Sequence, residues 1–92
     1  MATFLMFGKY SAQALKEMSP ERTQKAITLI KKLGGEVKAA YAMLGETDLL
    51  VVVELPDIEA AMKASLGLSR MTGIAFTSAP AVSIEEFDKL AH

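Results

Sequence analysis

The chain has 92 residues, enough for one domain, and a domain this small buries only about 60 to 65% of its unfolded surface, so help from a partner is plausible. Apolar residues make up 51% and charged residues 23%, an ordinary globular balance, and a net charge of -1 supplies no general attraction to phosphate backbones or anionic membranes. The absence of cysteine excludes disulfides, thiol nucleophiles and thiolate metal sites, and no stretch approaches the roughly 20 apolar residues that span a bilayer.

The N-terminus runs directly into Thr3-Phe4-Leu5-Met6-Phe7 with no basic segment ahead, so the expectation is a soluble, cytoplasmic protein without nucleic-acid or membrane partners. Thr3 to Tyr10 has strand composition, and Ser11 to Met18 accommodates a helical turn or a loop. A first helix restarts at Ser19-Pro20-Glu21. Ser19 fits an N-cap, Pro20 the first helical position where its missing N–H costs little, and Glu21 the positive end of the helix dipole. Ala26, Ile27, Ile30 and Leu33 form its apolar stripe, and Gly34-Gly35 stops it.

Glu36 to Leu44 reads as a second strand, Gly45 to Asp48 as a tight turn and Leu49 to Leu55 as a third strand, which together make a hairpin. Pro56 closes it, and Asp57 caps a second helix with Ile58, Ala61, Met62 and Leu66 at helical spacing, ending between Leu68 and Gly73. Ile74 to Ala79 supplies a fourth strand. Beyond Pro80, Ser83-Ile84-Glu85-Glu86 matches a capping box for a short tail helix with Ile84, Phe87 and Leu90 on one edge. The expected division is a domain over residues 1–80 and a tail over 81–92.

This order is β-α-β-β-α-β, the ferredoxin-like α+β plait: a four-stranded antiparallel sheet with two helices on one face. Crossover handedness is read as placing the first and third strands side by side and parallel at the centre. Leu49 to Val53 is apolar without alternation, the mark of a strand buried on both faces, yet two helices cover only one. Leu49, Val51, Val53 and Leu55 suit the helix side, leaving Leu50, Val52 and Glu54 outward. A two-residue turn would set Tyr41 opposite Val52 and Met43 opposite Leu50. The expected outward patch, and dimer face, is then Met43, Leu50 and Val52 with Tyr41, joined by Phe4 and Met6 from the first strand.

The run Leu33-Gly34-Gly35-Glu36-Val37, with Tyr41 to Asp48 and Val51 to Asp57, resembles the GYD domain family of small bacterial and archaeal proteins, from the opening strand through Phe76. The family's Gly-x-Tyr-Asp motif stands here as Gly45-Glu46-Thr47-Asp48, so no role that needs the Tyr ring carries over. The resemblance implies a ferredoxin-like fold in a dimeric α+β barrel and no established activity or catalytic residue. More distantly, the hairpin resembles the effector-binding domain of bacterial transcription factors of the leucine-responsive type.

Four residues are candidates for a ligand pocket or interface. Glu54 ends an apolar strand, near Tyr10 if the neighbouring strands are parallel. A carboxylate there could be raised in pKa and act as a base, although a solvated strand end is the simpler account. Asp48 reads as turn chemistry, and Tyr10 and Tyr41 as half-polar aromatics of a pocket rim or interface. The only histidine, His92, is terminal, so no internal histidine metal or haem site is expected, which argues against the haem-dependent dimeric barrels. No cofactor is expected. Gly34-Gly35 and Gly67 lack phosphate-loop spacing, the third strand lacks the aromatics of an RNA-recognition motif, and Arg22 and Arg70 read as ordinary surface cations.

The leading reading is a homo-oligomeric, non-enzymatic module for assembly or small-ligand binding. Its rival is a cofactor-free enzyme, an isomerase or monooxygenase, using Glu54 with Tyr10 or Tyr41 in a pocket between helices and sheet. A third is a small regulatory partner that docks a larger protein on its edge strand.

Overall fold

The first strand, β1 (Ala2–Lys9), alternates buried and half-buried residues, because Phe4, Met6 and Gly8 turn toward the helices while Thr3, Leu5 and Phe7 turn away. In this computed structural model, which describes residues 1–92, the chain continues through a short helix α1 (Ala12–Lys16), helix α2 (Pro20–Lys32) and the hairpin strands β2 (Glu36–Ala42) and β3 (Leu49–Leu55). Helix α3 (Ile58–Thr72), strand β4 (Ala75–Ala81) and tail helix α4 (Ile84–Ala91) complete it.

Helix starts follow the capping signals. The Ser19 hydroxyl accepts from the Arg22 N–H at 3.1 Å and the Asp57 carboxylate from the Ala60 N–H at 2.8 Å. Ser83 accepts from the Glu86 N–H, one half of a capping box; Glu86 does not return the bond. Gly73 ends α3 at φ 73, a left-handed conformation that costs a side-chain-bearing residue, and donates to the Ser69 carbonyl.

The sheet order is β2-β3-β1-β4 and every neighbouring pair is antiparallel. The β1–β3 pair is therefore not parallel as expected. Each crossover joins strands that have another strand between them, so the parallel relationships fall between non-neighbours. Pro80 lies within β4, which tolerates a residue with no N–H because it is an edge strand.

The hairpin register also differs from expectation. Tyr41 lies opposite Leu50, and the Met43 N–H donates to the Asp48 carbonyl at 2.8 Å, so four residues (44–47) make the connection instead of two. The shift is by two residues, which preserves the face of every side chain, and Tyr41 stays outward. A bulge at Lys38 then reverses the alternation, turning Val37 to the helix side opposite Val53.

The core lies between the sheet and α2 and α3. It joins Phe4, Met6, Val53 and Leu55 to Ile30 and to Ala60, Ala61, Ala64 and Leu68. Met6, Ile30, Val53 and Leu55 are its largest wholly buried side chains, each worth about 1.5–3 kcal/mol of transfer energy. Phe4 and Met6 thus belong to the core and not to the outward patch; the outward residues of β1 are Leu5 and Phe7. The α3 stripe differs likewise: alanines let this helix approach the sheet, whereas Ile58, Met62 and Leu66 are exposed on its far side.

Candidate binding cavity and open sheet face

Strand pairing arranges the open face in rows. Tyr41, Leu50, Phe7 and Thr77 form one row across the four strands, and Ala39, Val52, Leu5 and Ala79 form the next. A third row, Glu36, Glu54, Thr3 and Ala81, puts two carboxylate residues at the rim. Two rows are almost wholly apolar and no helix of the chain lies over them. Tyr41 is 59% exposed, whereas Leu5, Phe7, Leu50 and Val52 shelter one another to half-burial.

Helix α4 has no buried residue, and Ile84, Phe87 and Leu90 all face solvent. At the other end of the sheet, Leu15 and Met18 from the α1 segment, with Ala42 and Met43, line an open groove beside Asp48. Met43 therefore sits at the sheet's end, opposite Asp48 and not Leu50.

On the helix side a cavity of about 150 Å³ lies between α2 and the sheet. Ala26, Ile27 and Ile30 of α2 form its roof, Val37, Ala40, Leu49 and Val51 its floor, and Leu68, Ile74 and Phe76 its far wall. Tyr10, Arg22, Thr23 and Thr72 supply its polar groups. A wider groove of about 460 Å³ runs outside α2, but Glu21, Gln24, Lys25, Thr28 and Lys32 line it and it is open to solvent. The smaller space has the apolar walls and few convergent polar groups of a ligand site.

Of the four candidate residues, the fold brings two together. The Asp48 carboxylate accepts from the Tyr10 N–H at 3.0 Å, and its own N–H donates to the Gly8 carbonyl at 2.9 Å. Asp48 thus joins the hairpin to the end of β1 and serves more than its own turn. Tyr10 lies on the wall of the cavity and of the neighbouring groove. Tyr41 is outward on β2. Glu54 pairs with Thr3, at the end of β1 opposite to Tyr10, because the strands run antiparallel. The juxtaposition of Glu54 with Tyr10 does not exist within one chain.

Arg22, expected from the sequence to be an ordinary surface cation, is instead part of the site. It is half-buried, lines the cavity, and its guanidinium donates to the Ala14 carbonyl at 2.6 Å, tying α1 to α2. A signal for it was present: Arg22, Ala26 and Ile30 recur every four residues on the core-facing side of one helix. No three His, Cys, Asp or Glu residues come together as a metal site, and no helix is long and apolar enough to cross a membrane.

Known structures with this fold include FFRP-DM1, at 23% identity and TM-score 0.63, aligned over 89% of this chain and 100% of that one. The Mycobacterium tuberculosis leucine response regulatory protein LrpA matches at 12% identity and TM-score 0.59, over 89% of this chain and 51% of that one. An AsnC family transcriptional regulator from Agrobacterium tumefaciens matches at 23% and 0.59, over 89% and 50%. The chain thus spans about half the length of these two regulators, and the likeness establishes the fold. No curated protein matches the sequence. The GYD domain model matches residues 4–91, nearly the whole chain, and the chain belongs to the GYD domain family.

Proposed function

We propose that this protein is a non-enzymatic, self-associating module that binds a small ligand, assembled through the open face of its sheet. The observation that carries this reading is surface area. The chain exposes 6322 Å², whereas a compact monomer of 9.9 kDa exposes about 5,200 Å². The excess, about 1,100 Å², is larger than one partner's share of a stable interface, about 800 Å², and is spread over the open sheet face and the unburied helix α4. The rows around Leu50, Val52, Leu5 and Phe7 supply a flat apolar centre, and Glu36 and Glu54 a polar rim. The unpartnered edge of α4 adds a second surface that another copy would cover.

The structural likeness to regulators of the leucine-response and AsnC types supports a regulatory, ligand-binding role for the domain. Glu54 lies at the end of β1 opposite to Tyr10, and Tyr41 pairs with Leu50, four residues before Glu54 on β3, so within one chain the enzymatic alternative has neither acid–phenol pair.

Sedimentation velocity tests the assembly. The wild type is expected to run as a dimer at micromolar concentration, and Leu50→Glu as a folded monomer with unchanged helix and strand content. A wild-type monomer, or a Leu50→Glu dimer, would overturn the reading.

A further inference from the structure

Arg22 is the one cationic side chain on the cavity wall, and its electrostatic situation is incomplete. A guanidinium has five N–H donors, and this one makes a single hydrogen bond, to the Ala14 carbonyl. It has no carboxylate partner: the sole ion pair of the chain joins Lys38 and Glu36. A half-buried cation without an anion has lost part of its hydration and gained one neutral acceptor in exchange. Tyr10 lines the same space, and its hydrogen bond to Asp48 is made by the backbone N–H, so its hydroxyl is left without a partner in the chain. The Thr72 hydroxyl is already engaged, donating to the Leu68 carbonyl and accepting from the Ile74 N–H.

Apart from Thr23, whose hydroxyl donates to the Ser19 carbonyl, the rest of the lining is hydrocarbon, including Ala26, Ile30, Val51, Leu68 and Phe76. A cavity of about this volume with such walls accommodates a molecule the size of benzene. A free phosphate suits those walls poorly because it would lose its hydration on every side, and a cation would meet Arg22. A neutral hydrocarbon would fill the space but leave the guanidinium as it is.

We propose that this cavity binds a small apolar carboxylate whose hydrocarbon part is no larger than a benzene ring, with Arg22 as its counter-ion and Tyr10 as a second donor. The planar guanidinium can meet both carboxylate oxygens while keeping its bond to Ala14. The proposal rests on the ligand-binding half of the reading above and is independent of the assembly.

Benzoate and its neutral isostere benzamide test it on the full-length protein by backbone amide NMR titration. Benzoate is expected to bind with a dissociation constant of about 1 mM, as suits a ligand of its few atoms, and to move the amides of Tyr10, Ile30 and Phe76. Benzamide is expected to bind about tenfold more weakly, the loss of one charge-assisted contact. Arg22→Met, which keeps the stem and removes the charge, is expected to abolish the preference for benzoate. Benzoate with no effect on the cavity amides, or benzamide binding equally well, would overturn the proposal even if Arg22→Met failed to fold. Sedimentation of the same samples separates this result from the assembly: a dimer that ignores benzoate removes the ligand class and leaves self-association standing.

Discussion

Asp48, the acid of the Gly45-Glu46-Thr47-Asp48 motif, offers a sharp test of how the site end of the sheet is held. Its carboxylate accepts the Tyr10 N–H, while its main chain is bonded independently to Gly8 and Met43. Replacing Asp48 by Ala removes the side-chain bond and leaves both main-chain bonds possible, so the variant isolates one interaction. A hydrogen bond to a charged group contributes about 1.5–3 kcal/mol, and the half-burial of both residues lowers the expected cost to about 1–2 kcal/mol. For a domain of this size that is a fall in Tm of roughly 5–15 °C. Asp48→Asn keeps an acceptor oxygen without the charge and should cost about half as much. The assay is urea unfolding at one protein concentration, so that any contribution from self-association is held fixed between variants. A loss under about 0.5 kcal/mol for Asp48→Ala, with an unchanged m-value, would refute the reasoning.

Gly35→Ala should be among the most damaging single-methyl changes, since its Cβ would fall on the Glu54 carbonyl oxygen and within 2.5 Å of the Leu55 side chain. The expected cost is at the upper end of about 1–3 kcal/mol by thermal unfolding. Gly67→Ala should be close to neutral in the same assay, because its nearest neighbour is the flexible tip of Leu29 at 2.9 Å and an interior helical Gly gains about 0.8–1 kcal/mol on becoming Ala. Met6→Ala should cost about 2–5 kcal/mol because Met6 is 1% exposed, whereas Phe7→Lys next to it should leave the monomer fold intact and abolish self-association in sedimentation. Truncation after Ala81 should cost the isolated subunit little, because no α4 residue is buried; a large loss of far-UV signal beyond that helix would contradict it.

Cap by cap, the helix starts at Ser19, Asp57 and Ser83 were legible because each rests on a hydrogen bond between residues three apart. The helix side of β3 was legible too, since Val53 and Leu55 alternate with Glu54 and the pattern has only one apolar solution. The side of β1 was not. Phe4, Leu5, Met6 and Phe7 are all apolar, so alternation carries no information there, and only pairing with β3 and β4 turned Phe4 and Met6 inward. The α3 stripe misled for a related reason: hydropathy favours Ile58, Met62 and Leu66, but close packing on a sheet favours Ala60, Ala61 and Ala64.

By itself, then, the sequence determined the element order, the fold class and the excess of apolar surface over what two helices can cover, all of which follow from local periodicity and counting. The tertiary structure decided which acid meets which tyrosine. Glu54 and Tyr10 end up at opposite ends of β1 and β3 because those strands are antiparallel, while Asp48 reaches Tyr10 across a gap of 38 residues. Arg22 became a candidate ligand residue in the same way: its charge is visible in the chain, but the cavity beneath α2 exists only once helix and sheet are packed together.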